Sequence, residues 1–313
     1  MKKALGLLLC LIMAIGLLAG CAPAATDGQL AGGAPASQVP AAPSEAPPAP
    51  QEESFDFAAP ITVVSREDGS GTRGAFVELA GVIDENKVDM TTIEAIIVNS
   101  TSVVMTTVAG DPYAIGYISL GSLNDTVKAL AIDGVTPSVS TVKDGGYKIS
   151  RPFNLAVKEN SLSGAAQDFL DFILSAEGQA VVEENKYIKI DDAAAAYAGS
   201  RPSGKVVVAG SSSVTPVMDK LKEAYAVINP NAEIEIQMSD SSAGMAAAID
   251  GICDIGMASR NLKDSELEAG LTPIVMAMDG IAVIVNKENP ASGLALDALK
   301  AIYLGETLTW DAV

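Results

Sequence analysis

The sequence predicts an α/β fold with two lobes, and two features of the chain from Pro60 onward lead to this prediction. Short runs rich in β-branched residues alternate with amphipathic helical patterns, which is typical of mostly parallel sheets flanked by helices. In addition, the roughly 250 residues that follow Pro60 exceed the usual size of one hydrophobic core, so we expect two lobes.

The individual strands and helices are predicted from the spacing of apolar residues. The strand patterns cover residues 61–65, 95–98, 114–118, 205–209, 233–237, 254–258 and 281–285. The helical patterns include residues 165–173, 214–228 and 241–250, and the first of them places Ala165, Phe169, Phe172 and Ile173 on one face. Several helical segments follow a strand directly, as in repeated β–α units.

The N-terminal residues have the pattern of a secretory lipoprotein. Lys2 and Lys3 precede an apolar run that ends in Leu18-Ala19-Gly20-Cys21, which is the setting of a signal cleavage site. We therefore predict a signal peptide at residues 1–20, and acylation of the Cys21 thiol (for example by palmitate) that anchors the protein to the outer face of the cell membrane. Residues 21–59 are rich in Ala and Pro, which predicts a disordered tether.

The composition excludes several classes of function. The chain has no histidine, which removes His-activated nucleophiles and almost all zinc sites. Its net charge of −19 excludes a general nucleic-acid surface, but not a small anion, because salt screens surface charge beyond about 8 Å. Cys253 lies in an apolar stretch and is expected to be a buried thiol. We predict no catalysis, no cofactor, no metal and no nucleic-acid partner.

Three segments share one order of residues: a strand, then hydroxyl-bearing and small residues, then the start of a helix. They are residues 63–72, 208–213 and 238–244. The unpaired N–H groups and positive dipole end of a helix N-terminus favour anions, and Ser, Thr and Gly add donors and room for close approach. Each segment alone is equally well explained as a capped helix start. The three together, with Arg66 beside the first, predict an oxyanion site.

An alternative interpretation arises from Gly69-Ser70-Gly71-Thr72-Arg73-Gly74, which matches the dinucleotide-binding pattern. In that motif the first glycine follows the strand directly, whereas residues 66–68 intervene here. The acidic residue expected at the end of the next strand is replaced by Asn99. A dinucleotide-dependent enzyme is therefore the less favoured hypothesis.

Several motifs resemble those of the phosphate-binding proteins of high-affinity phosphate ABC transporters. They are GSSSVTP at 210–216, SSAG at 241–244, DIGMASR at 254–260, DGIAVIVN at 279–286, IYLGE at 302–306 with Trp310, and SREDGSGTRGAF at 65–76. AIGY at 114–117 and RPF at 151–153 resemble further landmarks of that family. The resemblance extends over nearly all of the chain from Pro60 onward.

The resemblance implies a fold and a function. The fold is a two-lobed type II periplasmic-binding-protein clamp, each lobe a mostly parallel sheet flanked by helices, which closes on phosphate. We expect one lobe from residues 60–127 plus 281–313 and the other from residues 128–280, with crossing segments near 147–157 and 278–285. The function is capture of inorganic phosphate by a monomer that delivers it to an ABC permease in the membrane. A sensor or adhesin that keeps the fold without transport is a further alternative.

The resemblance also implies the contact residues of the phosphate. They are Ser212, Ser213, Ser241, Ser259, Arg66, Ser70, Gly71 and Thr72. Asp68 is expected to pair with Arg66, while Arg260 either adds positive charge to the site or pairs at the surface. Some members of the family carry Asp where Ser259 stands. A hydroxyl there makes rejection of sulfate less secure, so a binding protein for sulfate or molybdate is an alternative.

The order of the motifs departs from that of the family. Motifs of the family's first half begin near Lys205, and the loop with Arg66, normally midway along the chain, comes first. We interpret this order as a circular permutation in which the former termini are joined through residues 191–204. A truncated tandem protein, or lobes exchanged between two chains, would give the same order.

Overall fold

The computed structural model describes residues 54–158 and 162–313. The predicted signal peptide, Cys21 and the tether up to residue 53 lie outside the described residues, so the lipid anchor stays a prediction. Across the described ranges, the structure has no helix that combines the length and the apolar character needed to cross a membrane.

The described residues form alternating strands and helices, as predicted. The strands are Thr62–Arg66 (β1), Ile96–Val98 (β2), Ala114–Ser119 (β3), Lys128–Ala129 (β4), Ala131–Ile132 (β5), Ser150–Lys158 (β6), Gly204–Ser211 (β7), Ala232–Ser239 (β8), Ile255–Ala258 (β9), Leu271–Val285 (β10) and Gly293–Leu294 (β11). The α-helices are Gly71–Leu79 (α1), Thr101–Ala109 (α2), Val139–Lys143 (α3), Gly164–Leu174 (α4), Ala176–Glu184 (α5), Thr215–Ile228 (α6), Ser241–Ile249 (α7), Asp264–Glu268 (α8) and Leu296–Leu304 (α9).

Most of the strands join one large sheet. Its order is β2-β1-β3-β10-β6-β9-β7-β8, and β4 pairs with β10. Pairing is parallel among β1, β2 and β3 and among β7, β8 and β9, whereas each antiparallel pairing involves β6 or β10. The α/β prediction is thus confirmed. The carboxyl ends of neighbouring parallel strands meet at one edge of a sheet, which is where ligands bind in such folds.

The buried apolar residues form two main cores at the two ends of this sheet. The first core includes Val64, Phe76, Ile115, Tyr117, Val283, Ile302 and Trp310. The second core includes Phe153, Phe169, Phe172, Val206, Val208, Leu221 and Met276. On the opposite face of β7, Ala209 packs with Met245 and Ala248 of α7, so this part of the sheet is covered by helices on both sides. The structure therefore has the layers expected of two lobes.

The long strand β10 connects the two cores. Met276 and Ala277 belong to the second core, whereas Ile281 and the residues after it belong to the first core. The packing differs from the predicted lobe division at residues 128–149, because Tyr147 and Ile149 pack in the first core although they were assigned to the other lobe. The chain crosses between cores where Ser150 pairs with Gly280. Division into two moving lobes stays a prediction.

Residues 185–203, which link α5 to β7, contact one buried carboxylate near their C-terminal end. Asp168 accepts hydrogen bonds from the hydroxyl groups of Tyr197 and Tyr225 and, at 2.8 Å, from the N–H of Ser200. Its burial is compensated by these bonds. The permutation hypothesis joins the former termini through residues 191–204, which include most of this link.

The first and last described parts of the chain lie side by side. The N–H of Ile61 donates to the carbonyl of Leu308 at 2.8 Å, and the N–H of Asp311 donates to the carbonyl of Phe57 at the same distance. The ring of Phe55 also contacts that of Trp310, so residues 54–59, which were assigned to the tether, pack against the fold. The two ends of the described chain are therefore adjacent in space, as the permutation hypothesis expects, although they are far apart in this sequence.

Substitution of Gly210, on β7, tests the close packing of this strand against its neighbours. The φ of Gly210 is +134°, and a Cβ added there would lie 2.3 Å from the carbonyl oxygen of Met257 on β9 and 3.2 Å from Cα of Gly244 on α7. We expect Gly210→Ala to lower the free energy of unfolding, measured by urea denaturation, by about 2–3 kcal/mol. Gly164→Ala is the matched control, since nothing lies within 4 Å of its added Cβ, and it should be neutral or slightly stabilising. Equal effects of the two changes would contradict the packing described.

Candidate anion-binding site

The structure brings the eight predicted contact residues to one place. Arg66 is the last residue of β1, Ser70 lies in the loop that follows, and Gly71 and Thr72 open α1. The four serines follow the ends of strands in the other half of the sheet: Ser212 and Ser213 follow β7, Ser241 follows β8, and Ser259 follows β9. Each of the eight is buried. The predicted residues thus form one interior site between the two cores.

The hydroxyl groups of this site bond to one another. We call Thr72, Ser211, Ser212, Ser213, Ser241 and Ser259 the hydroxyl cluster. Oγ1 of Thr72 lies 2.7 Å from Oγ of Ser213, Oγ of Ser211 donates to Oγ of Ser259 at 3.0 Å, and the N–H of Ser259 donates to Oγ of Ser241 at 3.1 Å. A hydroxyl group both donates and accepts, so such a cluster can be buried without leaving its polar atoms unpaired.

Helix starts supply further donors around the cluster. The side chain of Ser70 caps α1 by accepting from the N–H of Arg73, and Asp240 caps α7 by accepting from the N–H of Ala243. The next residues, Gly71 and Ser241, open these helices, and the first N–H groups of a helix have no partner within it. Together with the positive end of each helix dipole, these N–H groups favour an anion at the cluster.

Gly71 allows the two halves of the site to touch. A Cβ added at Gly71 would lie 2.3 Å from Oγ of Ser241 and 2.8 Å from Oγ of Ser259. Nearby, the carbonyl of Gly69 accepts from the N–H of Ser242 at 3.1 Å. Gly69 also has a φ of +88°, which a residue with a side chain adopts only with strain. The glycines of this loop are therefore needed for close approach and for the turn.

Arg66 is buried, and its charge is balanced by a neighbour that was not predicted. Its Nε and Nη2 each donate to the carboxylate of Glu67 at 2.7 Å, and Nη2 also donates to Oγ of Ser212 at 3.0 Å. The expected pairing of Asp68 with Arg66 is wrong. Asp68 lies in the turn before α1 with its side chain fully exposed, and it pairs with Nη1 of Arg73 at 3.1 Å. The site is thus neutral at Arg66 and rich in uncharged donors.

Arg260 pairs with a carboxylate beside the site. Its Nη2 lies 2.7 Å from Oε1 of Glu266 and donates to Oγ of Ser242 at 3.2 Å. Burial acts to raise the pKa of Glu266, but the hydrogen bonds from Arg260 and from the N–H of Lys263 outweigh it and lower that pKa. Of the two predicted alternatives, this geometry favours pairing. Arg260 also lines a cavity of about 410 Å³ next to Gly69.

Arg151 and Asp279 form a buried ion pair that the sequence analysis missed. Nη2 of Arg151 lies 3.1 Å from Oδ2 of Asp279, whose Oδ1 accepts from the hydroxyl of Ser119 at 3.0 Å. Nη1 of Arg151 donates to the carbonyl of Ser259 at 3.0 Å. Burial raises the pKa of Asp279 to about 6, against the lowering effect of Arg151. The pair therefore links the crossing strands to the backbone of the hydroxyl cluster.

The start of α2 also reaches the cluster, and this was missed as well. Oγ1 of Thr101 lies 3.1 Å from Oγ of Ser213, and both residues are buried. The signal was present in the sequence, since Asn99-Ser100-Thr101-Ser102 follows the predicted strand at 95–98. This is the same order of strand, hydroxyl-bearing residues and helix start that was recognised in three other segments.

Comparisons with known proteins agree with this geometry. A family model described as a PBP superfamily domain matches residues 51–177 and 195–312. The phosphate-binding protein PstS 2 of Streptococcus agalactiae serotype V is 55% identical over 255 residues, covering 80% of this chain and 87% of the relative. A crystal structure of a phosphate ABC transporter phosphate-binding protein from Streptococcus pneumoniae TIGR4 is 47% identical with a TM-score of 0.65, covering 81% of this chain and 99% of that one. PstS of Bacillus subtilis strain 168 is 36% identical over 134 residues, 42% of each chain.

The partner of Arg66 can be tested with two neighbouring carboxylates. We expect Glu67→Gln to lower the free energy of unfolding by about 2–3 kcal/mol, because it leaves a buried guanidinium without its counter-charge. Asp68→Asn should leave the stability unchanged within error, because this carboxylate is fully exposed. Urea denaturation of both variants makes the comparison. A lower free energy of unfolding for Asp68→Asn but not for Glu67→Gln would instead support the pairing of Asp68 with Arg66 that the sequence predicted.

Proposed function

The chain belongs to the PBP superfamily and, within it, to the family of phosphate-binding proteins, and we propose that it captures inorganic phosphate and delivers it to an ABC permease. The observation that carries this proposal is the buried hydroxyl cluster. Its neutral donors come from both halves of the sheet, and one of them, Ser212, accepts from Arg66, whose charge is balanced by Glu67. We propose that the eight predicted residues contact the phosphate and that Arg66 is the only full positive charge among them.

The number of donors is sufficient for tight binding. Hydrogen bonds to a charged group contribute about 1.5–3 kcal/mol each, whereas association costs about 4–15 kcal/mol. Roughly eight donors on loops held by strands therefore support a dissociation constant in the micromolar range or below. Enclosure by the two cores adds to this, because hydrogen bonds to an anion strengthen where water is excluded.

A single chain supplies both halves of the site, which supports the proposal of a monomer. Thr72 of the first half bonds to Ser213 of the second, and Gly71 is in contact with Ser241. Exchange of lobes between two chains is not needed to complete the cluster. We expect sedimentation of the purified protein to give the mass of one chain.

The comparisons support the circular permutation. The match to the streptococcal relative runs through 80% of this chain, whereas the match to the Bacillus subtilis relative stops at 42% of each chain. A different order of two halves produces a match of this partial kind. The contact between Ile61 and Leu308 supports the same interpretation, because it places the two ends of the described chain side by side.

Binding proteins of this family act outside the cytoplasm, and we propose that this one is held there by lipid on Cys21 after cleavage of the signal peptide. We further propose that the chain is not an enzyme. The dinucleotide hypothesis is weakened by the loop geometry, because β1 ends at Arg66 and Gly69 comes three residues later, next to Asp240 of another helix start. A dinucleotide turn requires its first glycine directly after the strand.

One observation favours the alternative of another tetrahedral oxyanion. The carboxylates near the cluster, Glu67 and Asp240, are already engaged by Arg66 and by the N–H of Ala243. Rejection of sulfate requires a group that accepts the proton of phosphate, and in this cluster that task falls to hydroxyl groups such as Ser259, which can also donate. Selectivity against sulfate is therefore expected to be weaker than with a carboxylate at this position.

Calorimetric titration of the ligand-stripped chain from residue 22 onward tests the function. We expect one phosphate per chain with a dissociation constant in the micromolar range or below, and weaker binding of sulfate and molybdate. Sulfate binding as tight as that of phosphate would favour the wider oxyanion function. A folded protein that gives no heat with any of the three anions would overturn the proposal.

Gly71→Ala should weaken phosphate binding at least about 10-fold, because the added methyl group occupies the space taken by the hydroxyls of Ser241 and Ser259. Gly74→Ala is the control on the same helix. Its added Cβ would lie 3.8 Å from Cδ of Arg260, an ordinary contact, so phosphate affinity should change less than about 2-fold. Calorimetry on both variants makes the comparison, and equal affinities would argue against closure of the site around Gly71.

A further inference from the structure

We propose that Thr101, at the start of α2, is a further phosphate-binding residue, contributed by a loop outside the motifs that identify the family. The inference rests on the proposed function, since it concerns the same site. Its basis is the position of the Thr101 hydroxyl, which is buried and lies 3.1 Å from Oγ of Ser213 in the hydroxyl cluster.

The protons of the neighbouring hydroxyls indicate a free donor. The hydroxyls of Thr72 and Thr101 both contact that of Ser213, at 2.7 Å and 3.1 Å. The chain of contacts begins at Ser211, whose hydroxyl donates to Oγ of Ser259, and Oγ of Ser259 lies 3.5 Å from Oγ1 of Thr72. When donation runs in this direction from Ser259 through Thr72 and Ser213 to Thr101, each hydroxyl uses its one proton on the next. The proton of Thr101 is then left for another acceptor, and an anion bound at the cluster provides one.

The hydroxyl of Thr101 is not needed to build the helix. Ser100 is the N-cap of α2 and accepts from the N–H of Val103 at 3.3 Å. The hydroxyls of Thr106, which is exposed, and of Thr107, which is half-buried, instead bond back to carbonyl groups one turn earlier on the same helix. Thr101 differs from both, since its hydroxyl is buried and its partner lies in another part of the chain. This contrast assigns the hydroxyl to the site.

The start of α2 is held beside the loop that carries Arg66. Strand β2 pairs in parallel with β1, and the N–H of Glu67 donates to the carbonyl of Val98 at 3.1 Å. The first N–H groups of α2 have no partner within the helix, and its dipole has its positive end here. The loop from Asn99 to Thr101 thus has the same relation to its strand as the loop from Glu67 to Gly71.

Substitution of Thr101 in the chain from residue 22 onward tests the proposal, with inorganic phosphate as the calorimetric titrant. We expect Thr101→Val, which keeps the shape and removes the hydroxyl, to weaken binding about 10-fold, as for loss of one hydrogen bond to a charged group. Thr101→Ser should remain within about 3-fold of the parent. Thr106→Val removes an exposed hydroxyl from the same helix and should leave the affinity unchanged.

A second measurement separates direct contact from support of Ser213. With Ser213→Ala already in place, Thr101→Val should weaken binding further if Thr101 contacts the anion, whereas no further loss would reduce it to a positioning residue and overturn the proposal. A crystal structure of the unaltered protein with phosphate should show Oγ1 of Thr101 in hydrogen-bond contact with a phosphate oxygen, whether or not the variants fold.

The two proposals fail in different ways. If the parent protein binds no phosphate, the proposed function fails. If the parent binds phosphate and Ser213→Ala weakens it, while Thr101→Val binds like the parent, only the role of Thr101 fails.

Discussion

The structure depends on one constraint: polar groups that are to hold an anion must be buried and paired at the same time. A buried donor without a partner costs about 1–3 kcal/mol, and a buried charge costs more. Hydroxyl groups meet this constraint because they pair with one another, as Thr72 does with Ser213, and can turn toward a ligand. Arg66 meets it through Glu67. Because the parallel strands end at one edge of the sheet, the hydroxyl groups and Arg66 that lie at or after those ends meet there.

The strands that cross between the cores bind the site to the rest of the fold. Asp279 on β10 is the register partner of Arg151 on β6, so the ion pair is fixed by the sheet itself. Arg151 also donates to the carbonyl of Ser259, and Ser119 of the first half donates to Asp279. Any movement of one core against the other must therefore take place around a buried charged pair and not around a loop.

The sequence sufficed for what depends on local pattern. Six of the seven predicted strands lie within one or two residues of their observed bounds, whereas β6 and the first ten residues of β10 were not predicted. The eight predicted contact residues come together because each lies at or just after the end of a strand. The partner of Arg66 was not predictable, because Glu67 and Asp68 are equivalent in sequence and only the turn decides which is buried. The pairing of Arg151 with Asp279 depends on register between distant strands. Thr101 was overlooked although its local pattern was complete.

The order of the segments has a consequence for the order in which the two cores can form. The second core is built largely from the continuous stretch between Ser150 and Ala277, whereas the first core combines residues before that stretch with residues after it. Domains generally fold as units during synthesis, N-terminal parts first. Here the N-terminal segment, which includes Arg66, cannot pack into the first core before β10 and α9 are available. The first core, which includes the strand that ends in Arg66, is thus completed after the second core of the same chain.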